Sequence, residues 1–188
     1  MTTETIISIF LGIGLAASVG FRIFLPLFVL SLASYFNVWE LNESWQWIGS
    51  TTALVILGVA TLVEIFAYFI PFVDNLLDSV AVPLAAVAGT AVMVSTVANL
   101  SPEITWALAI IAGGGTAAVI SGTSGATRLA STTTTAGVAN PVVSTIETGA
   151  AFITSIISVF LPIAGFILVL IIIFIIFRTY KKIKRTNT

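Results

Sequence analysis

Gly14-Leu-Ala-Ala-Ser18-Val-Gly20-Phe-Arg22-Ile-Phe-Leu-Pro26 lies inside an apolar run from Thr5 to Phe36 whose only charge is Arg22. A guanidinium at that depth is costly in hydrocarbon unless something receives it. The small residues before it and the proline after it read as a membrane segment turned inward toward a site. A second lone arginine, Arg128, stands in a similar small-residue stretch far down the chain.

Composition sets the class. Of 188 residues, 58% are hydrophobic and 8% charged, with a mean hydropathy of +1.15. Soluble domains carry roughly 25% charged residues, so a soluble fold would lack the side chains to cover its surface. The expected fold is an all-α polytopic membrane protein. A net charge of −1 gives no general attraction to nucleic acid. With no Cys and no His, a disulfide framework, a thiolate metal site and the usual proton relay are excluded. No metal or cofactor is expected. The N-terminus lacks a basic region and a cleavage site close behind its apolar run, and reads as a mature membrane segment.

A spanning helix needs roughly 20 apolar residues. Thr5 to Phe36 exceeds that, so it is tilted, or broken near Ser18-Val19-Gly20 or at Pro26, where a helix loses a backbone bond. Trp39, Trp45 and Trp47 in the polar stretch that follows predict an interfacial belt. Ile48 to Val73 is the second span, with Glu64 well inside it and Pro71 near its end. Asp74 to Ser79 reads as a short polar break, in which Asp74 and Asp78 solvate a helix boundary rather than hold a cation. Val82 to Leu100 is the third span. After a turn at 101–105, with Trp106 as a further anchor, a fourth opens at Ala107 and contains Gly113-Gly-Gly115, a signal of close helix packing. Ser121 to Pro141 turns to Ser, Thr, Gly and Ala. It is too polar to face lipid and is expected as irregular backbone, buried or lining a wet path. Its hydroxyls could instead bond back to helix carbonyls. Val142 to Phe177 is again too long, and Pro162 divides it.

The chain falls into two comparable halves, 1–100 and 101–180, with a basic tail at 181–188. Ser18-Val-Gly20-Phe-Arg22 matches Ser124-Gly125-Ala-Thr-Arg128 loosely. Glu64-Ile-Phe-Ala-Tyr-Phe-Ile70 matches Glu147-Thr-Gly-Ala-Ala-Phe-Ile153 better, and Pro83 and Pro162 follow in comparable places. Three spans per half would make the second run opposite to the first. The expectation is about six transmembrane helices as two inverted three-helix repeats, with broken or re-entrant segments and a site at their interface. The Lys- and Arg-rich tail from Arg178 to Arg185 predicts a cytoplasmic C-terminus.

Gly14 to Pro26, Glu64 to Asp78 and Arg128 to Glu147 (ending Asn140-Pro-Val-Val-Ser-Thr-Ile-Glu147) also resemble the bacterial and archaeal domain-of-unknown-function 4126 family. The resemblance covers nearly the whole chain and implies a cell-membrane protein with no established activity. Members often carry further charges beside the matching glutamates, where this chain has Tyr68, Phe69 and Thr148.

The leading functional expectation is a small transporter or channel for an anion or an anionic lipid head group. Arg22 and Arg128 would receive it, because arginine stays charged and offers a planar fork of donors. Ser18, Gly20, Ser124, Gly125 and Asn140 would line the site, and the amides of half-helix N-termini would add donors. Glu64 and Glu147 would balance the arginines or carry protons, with Asp74 and Asp78 as further ionisable groups. The expected partners are membrane lipids and a small anion or lipid phosphate, with homo-oligomerisation left open. A purely structural alternative pairs each arginine with one glutamate to lock the halves together. An enzyme is not expected, since no nucleophile–base pair or metal cluster is visible.

Overall fold

The computed structural model describes residues 2–70 and 73–186, so Pro71 lies outside the described residues. Every regular element among them is helical: α1 Thr3–Val19, α2 Phe24–Tyr35, α3 Thr51–Ala67, α4 Val73–Thr96, α5 Pro102–Leu108, α6 Gly115–Thr135, α7 Asn140–Phe160 and α8 Pro162–Thr186. A 3-10 turn, Glu43–Gly49, precedes α3, and a π turn, Ala109–Gly114, joins α5 to α6. Four stretches are long and apolar enough to cross a membrane: Val73–Thr96, Pro102–Thr135, Asn140–Phe160 and Pro162–Thr179. The 3-10 turn and α3 make a fifth only if counted as one span bent by 64°, while α1 and α2 are shorter apolar helices.

The small residues of α1 put it at the centre. Leu11, Leu15, Ala16, Ala17 and Ser18 are fully buried, and α1 packs against α4, α7 and α8. Gly12 lies against Met93 and Thr96 of α4, while Gly14 lies against Ser158 of α7 and Gly165 of α8. Without a hydrophobic effect between helices in lipid, such close approach is what holds them together. The outward faces of α3 and α8 carry Ile56, Val63, Phe66, Ile171, Phe174 and Phe177, all exposed. Those apolar faces suit a bilayer rather than water.

Arg22 breaks the first apolar run. The chain leaves helical geometry between α1 and α2, from Gly20 to Ile23. Pro26 then sits in the first turn of α2, where its missing N–H goes unneeded. Pro162 divides the last run as expected. Two expectations are corrected. Asp74 to Ser79 is not a break, because α4 runs unbroken from Val73 to Thr96 with Pro83 inside it. Ser121 to Thr135 is not irregular either. It is regular α6, whose Thr123, Thr127, Thr134 and Thr135 hydroxyls donate to carbonyls one turn back. That internal bonding occupies the hydroxyls while the polar sequence stays helical.

Two of the triplet's glycines, Gly113 and Gly114, pack closely as the sequence suggests, and Gly115 does not. A Cβ on Gly113 would stand 2.6 Å from the Gly89 carbonyl oxygen, and one on Gly89 would stand 2.8 Å from the Gly113 oxygen. Backbone cannot yield as a side chain can. Gly89→Ala and Gly113→Ala should each cost about 1–3 kcal/mol by overpacking, read as a lower melting temperature in detergent. Gly115→Ala, with open space around it, should melt like the parent, and equal losses at all three positions would contradict this packing.

Candidate functional site

The break between α1 and α2 delivers Arg22 into the protein, where it is 1% exposed. All three of its nitrogens are engaged. Nε donates to Thr148 Oγ1 at 3.0 Å, Nη1 to the Phe21 carbonyl at 3.0 Å and to Glu147 Oε2 at 3.2 Å, and Nη2 to the Ser144 carbonyl at 3.0 Å. Thr148 in turn donates to the Ser144 carbonyl. Three of these four acceptors belong to α7, so Arg22 ties the break to that helix.

Arg128, on α6, reaches the same carboxylate. Its Nη2 donates to Glu147 Oε2, and Nη1 lies 3.6 Å from Asp78 Oδ1 on α4. Its Nε and Nη1 have no hydrogen-bond acceptor. Tyr68 sits beside both cations, with its ring centroid 4.1 Å from the Arg22 guanidinium carbon and 4.0 Å from that of Arg128. The ring's negative face complements a guanidinium in a desolvated setting.

The two glutamates do different work. Glu147 bridges both arginines, whereas Glu64 pairs with neither. Glu64 accepts from the backbone N–H groups of Ile23 at 2.7 Å and Phe24 at 3.0 Å, the unpaired donors that open α2. One arginine per glutamate is therefore not the arrangement. The amides expected to help bind an external anion are held by the protein's own carboxylate, which a helix N-terminus accommodates well.

The remaining expected residues divide between this cluster and other places. Gly20, Ser124 and Gly125 line a narrow crevice with Glu64, Tyr68, Asp78 and Arg128. At Gly20 a side chain would meet Ile120 Cβ at 2.6 Å and the Ala117 oxygen at 2.8 Å, so this glycine lets α1 approach α6. Ser18 lies apart and bonds to Ser155 Oγ, at 2.6 Å, on α7. Asn140 is also separate. Its Nδ2 donates to Asp74 Oδ2 and Thr132 Oγ1, both at 3.0 Å. Asp74 and Asp78 thus face α7 and α6 rather than solvating a boundary. Among the described residues, no group of three or more His, Cys, Asp or Glu side chains could hold a metal ion.

A family model described as a domain of unknown function, DUF4126, matches residues 9–182. The chain belongs to the DUF4126 family. No curated protein and no solved structure matches it. In this DUF4126 member, two of the positions where the resemblance led one to expect charge serve the arginines. Tyr68 lies against both guanidiniums and Thr148 accepts from Arg22. Sequence reading missed both roles, as well as the Ser144 carbonyl. The signal available was spacing: Ser144, Glu147 and Thr148 fall on one face of a helix.

Proposed function

We propose that this protein is a small membrane transporter in which Arg22 is a fixed clamp and the carboxylates carry the exchangeable ion, a proton. One observation carries the reading: among the described residues the polar interior holds four carboxylates, Glu64, Asp74, Asp78 and Glu147, against two guanidiniums, and only Asp78 and Glu147 are paired with one. Four of the five Arg22 N–H donors are taken by protein acceptors, and Glu147 is committed to both arginines. Glu64 and Asp78 line the crevice; Asp78 is ion-paired with Arg128, whereas Glu64 accepts only from the Ile23 and Phe24 amides and is paired with no cationic side chain. A buried carboxyl in that position exchanges protons more readily than one locked in a salt bridge. The six-span inverted repeat in a bacterial or archaeal cytoplasmic membrane, with the basic C-terminus on the cytoplasmic side, completes this reading.

The test uses purified protein in vesicles containing a pH-sensitive dye. The parent should conduct protons under an imposed gradient, and Glu64→Gln should abolish that flux while helicity by circular dichroism is retained. Flux insensitive to pH between about 5 and 8, or unaffected by Glu64→Gln, would end the proposal.

A second reading, transport of an anion or anionic lipid head group, has its support in Arg128, whose Nε and Nη1 lack acceptors. It predicts anion flux that Arg128→Gln removes and Glu64→Gln leaves in place.

A further inference from the structure

The polar centre opens sideways. Helix α3 packs on α2 and leaves a groove of about 480 Å³ toward α4. Val55, Val59 and Val63 form one wall, Leu77, Val80 and Leu84 the other, and Ile23 and Phe24 close one end. The lining holds one charged group, Glu64, and one further polar side chain, Tyr68. Ile23, Glu64 and Tyr68 also line the crevice that contains Arg128. The groove is therefore an apolar slot whose one charged lining residue is Glu64, bordered by residues such as Val55, Ile56, Val59 and Val63 that are exposed on the outer surface.

Charge complementarity selects the occupant. A hydrophobic slot removes water from its ligand, and inside it an anion would meet Glu64 as a like charge. A neutral chain would leave that carboxylate without a counter-charge. We propose that the groove binds an amphipathic organic cation, drawn from the bilayer, in exchange for the proton on Glu64. This rests on the proton-carrying role assigned to Glu64 above. The exchange balances: one proton leaves the carboxyl group, and one monovalent cation takes its place beside the carboxylate. The charged and titratable groups near Glu64 are Arg22 in the break it caps, Tyr68 one turn along α3, Asp78 on α4 and Arg128 on α6, with Glu147 behind the arginines. Glu147 and Asp78 already answer the two guanidiniums, whereas Glu64 has neutral amide partners and no paired cation.

Tetraphenylphosphonium is a suitable probe, with binding to detergent-purified protein followed by calorimetry and proton release by a pH indicator in weak buffer. The parent should bind it and release about one proton per cation. Glu64→Gln should weaken binding by at least about tenfold and abolish the release, whereas Glu64→Asp should keep the release. Val59→Trp, which fills the groove from an exposed position, should weaken cation binding by a similar factor. Binding indifferent to Glu64→Gln would mean partition into detergent or a groove filled by a lipid chain, and would overturn the inference. Proton flux through Glu64 with no cation binding would overturn the inference alone. Absence of both would remove the proton reading with it.

Discussion

Glu147→Gln is expected to be the most damaging single substitution in the polar centre. The change keeps the shape of the side chain and removes one negative charge, but that charge is shared by two guanidiniums. Arg22 would keep neutral acceptors, the Phe21 and Ser144 carbonyls and Thr148 Oγ1. Arg128 would keep one carboxylate, Asp78 at 3.6 Å, beside the Tyr68 ring. Breaking a buried ion pair from one side costs roughly 3–5 kcal/mol, because the partner charge stays buried and uncompensated. Here two partners are left, so the loss should reach the upper end of that range. The measure is the yield of monodisperse protein and its melting temperature in detergent. Adding Arg128→Gln to Glu147→Gln should recover part of the loss, since the double variant no longer buries that unpaired cation. A Glu147→Gln protein that melts like the parent would show that the two arginines do not depend on this carboxylate.

Arg22→Lys should come second in severity and should separate the two arginines. A lysine keeps the charge, but its single ammonium cannot reach four acceptors spread over both arms of a guanidinium. Arg22 serves Thr148, Phe21, Glu147 and Ser144 at once. Even if lysine holds Glu147 and one carbonyl, at least one buried acceptor loses a charged donor, a loss of about 1.5–3 kcal/mol. Arg128 makes one hydrogen bond, to Glu147, and a lysine can supply one. Arg128→Lys should therefore lose clearly less stability than Arg22→Lys in the same melting assay. Equal losses would refute the assignment of Arg22 as the clamp. The comparison also bears on the proposed proton transport, in which a clamp should alter stability before it alters ion dependence and Glu64 should do the reverse.

Much of this architecture is legible in one dimension. Apolar runs too long for one span told of breaks; Pro162 marked one, because a proline costs a continuous helix a backbone bond, and the first was left between Ser18-Val19-Gly20, Pro26 and a tilt, the structure placing it from Gly20 to Ile23. The burial of Arg22, Arg128, Glu64 and Glu147 was legible because intramembrane charge turns inward. Local pattern misled where a helix could satisfy itself. Asp74 to Ser79 and the Thr-rich end of α6 look like loops by composition, yet their backbone bonds stay within the helix and their polar groups find partners on the same helix or the next.

By itself, then, the sequence determined the membrane class, the division at Pro162 and the burial of Arg22, Arg128, Glu64 and Glu147, since these follow from the cost of each residue in hydrocarbon. Only the tertiary structure decided who meets whom. That Glu147 answers both arginines while Glu64 caps α2, and that Tyr68 lies against both cations, depends on contacts between α2, α3, α4, α6 and α7. Such pairings are set by the relative placement of helices far apart in the chain, and helical spacing carries information only about neighbours three or four residues away.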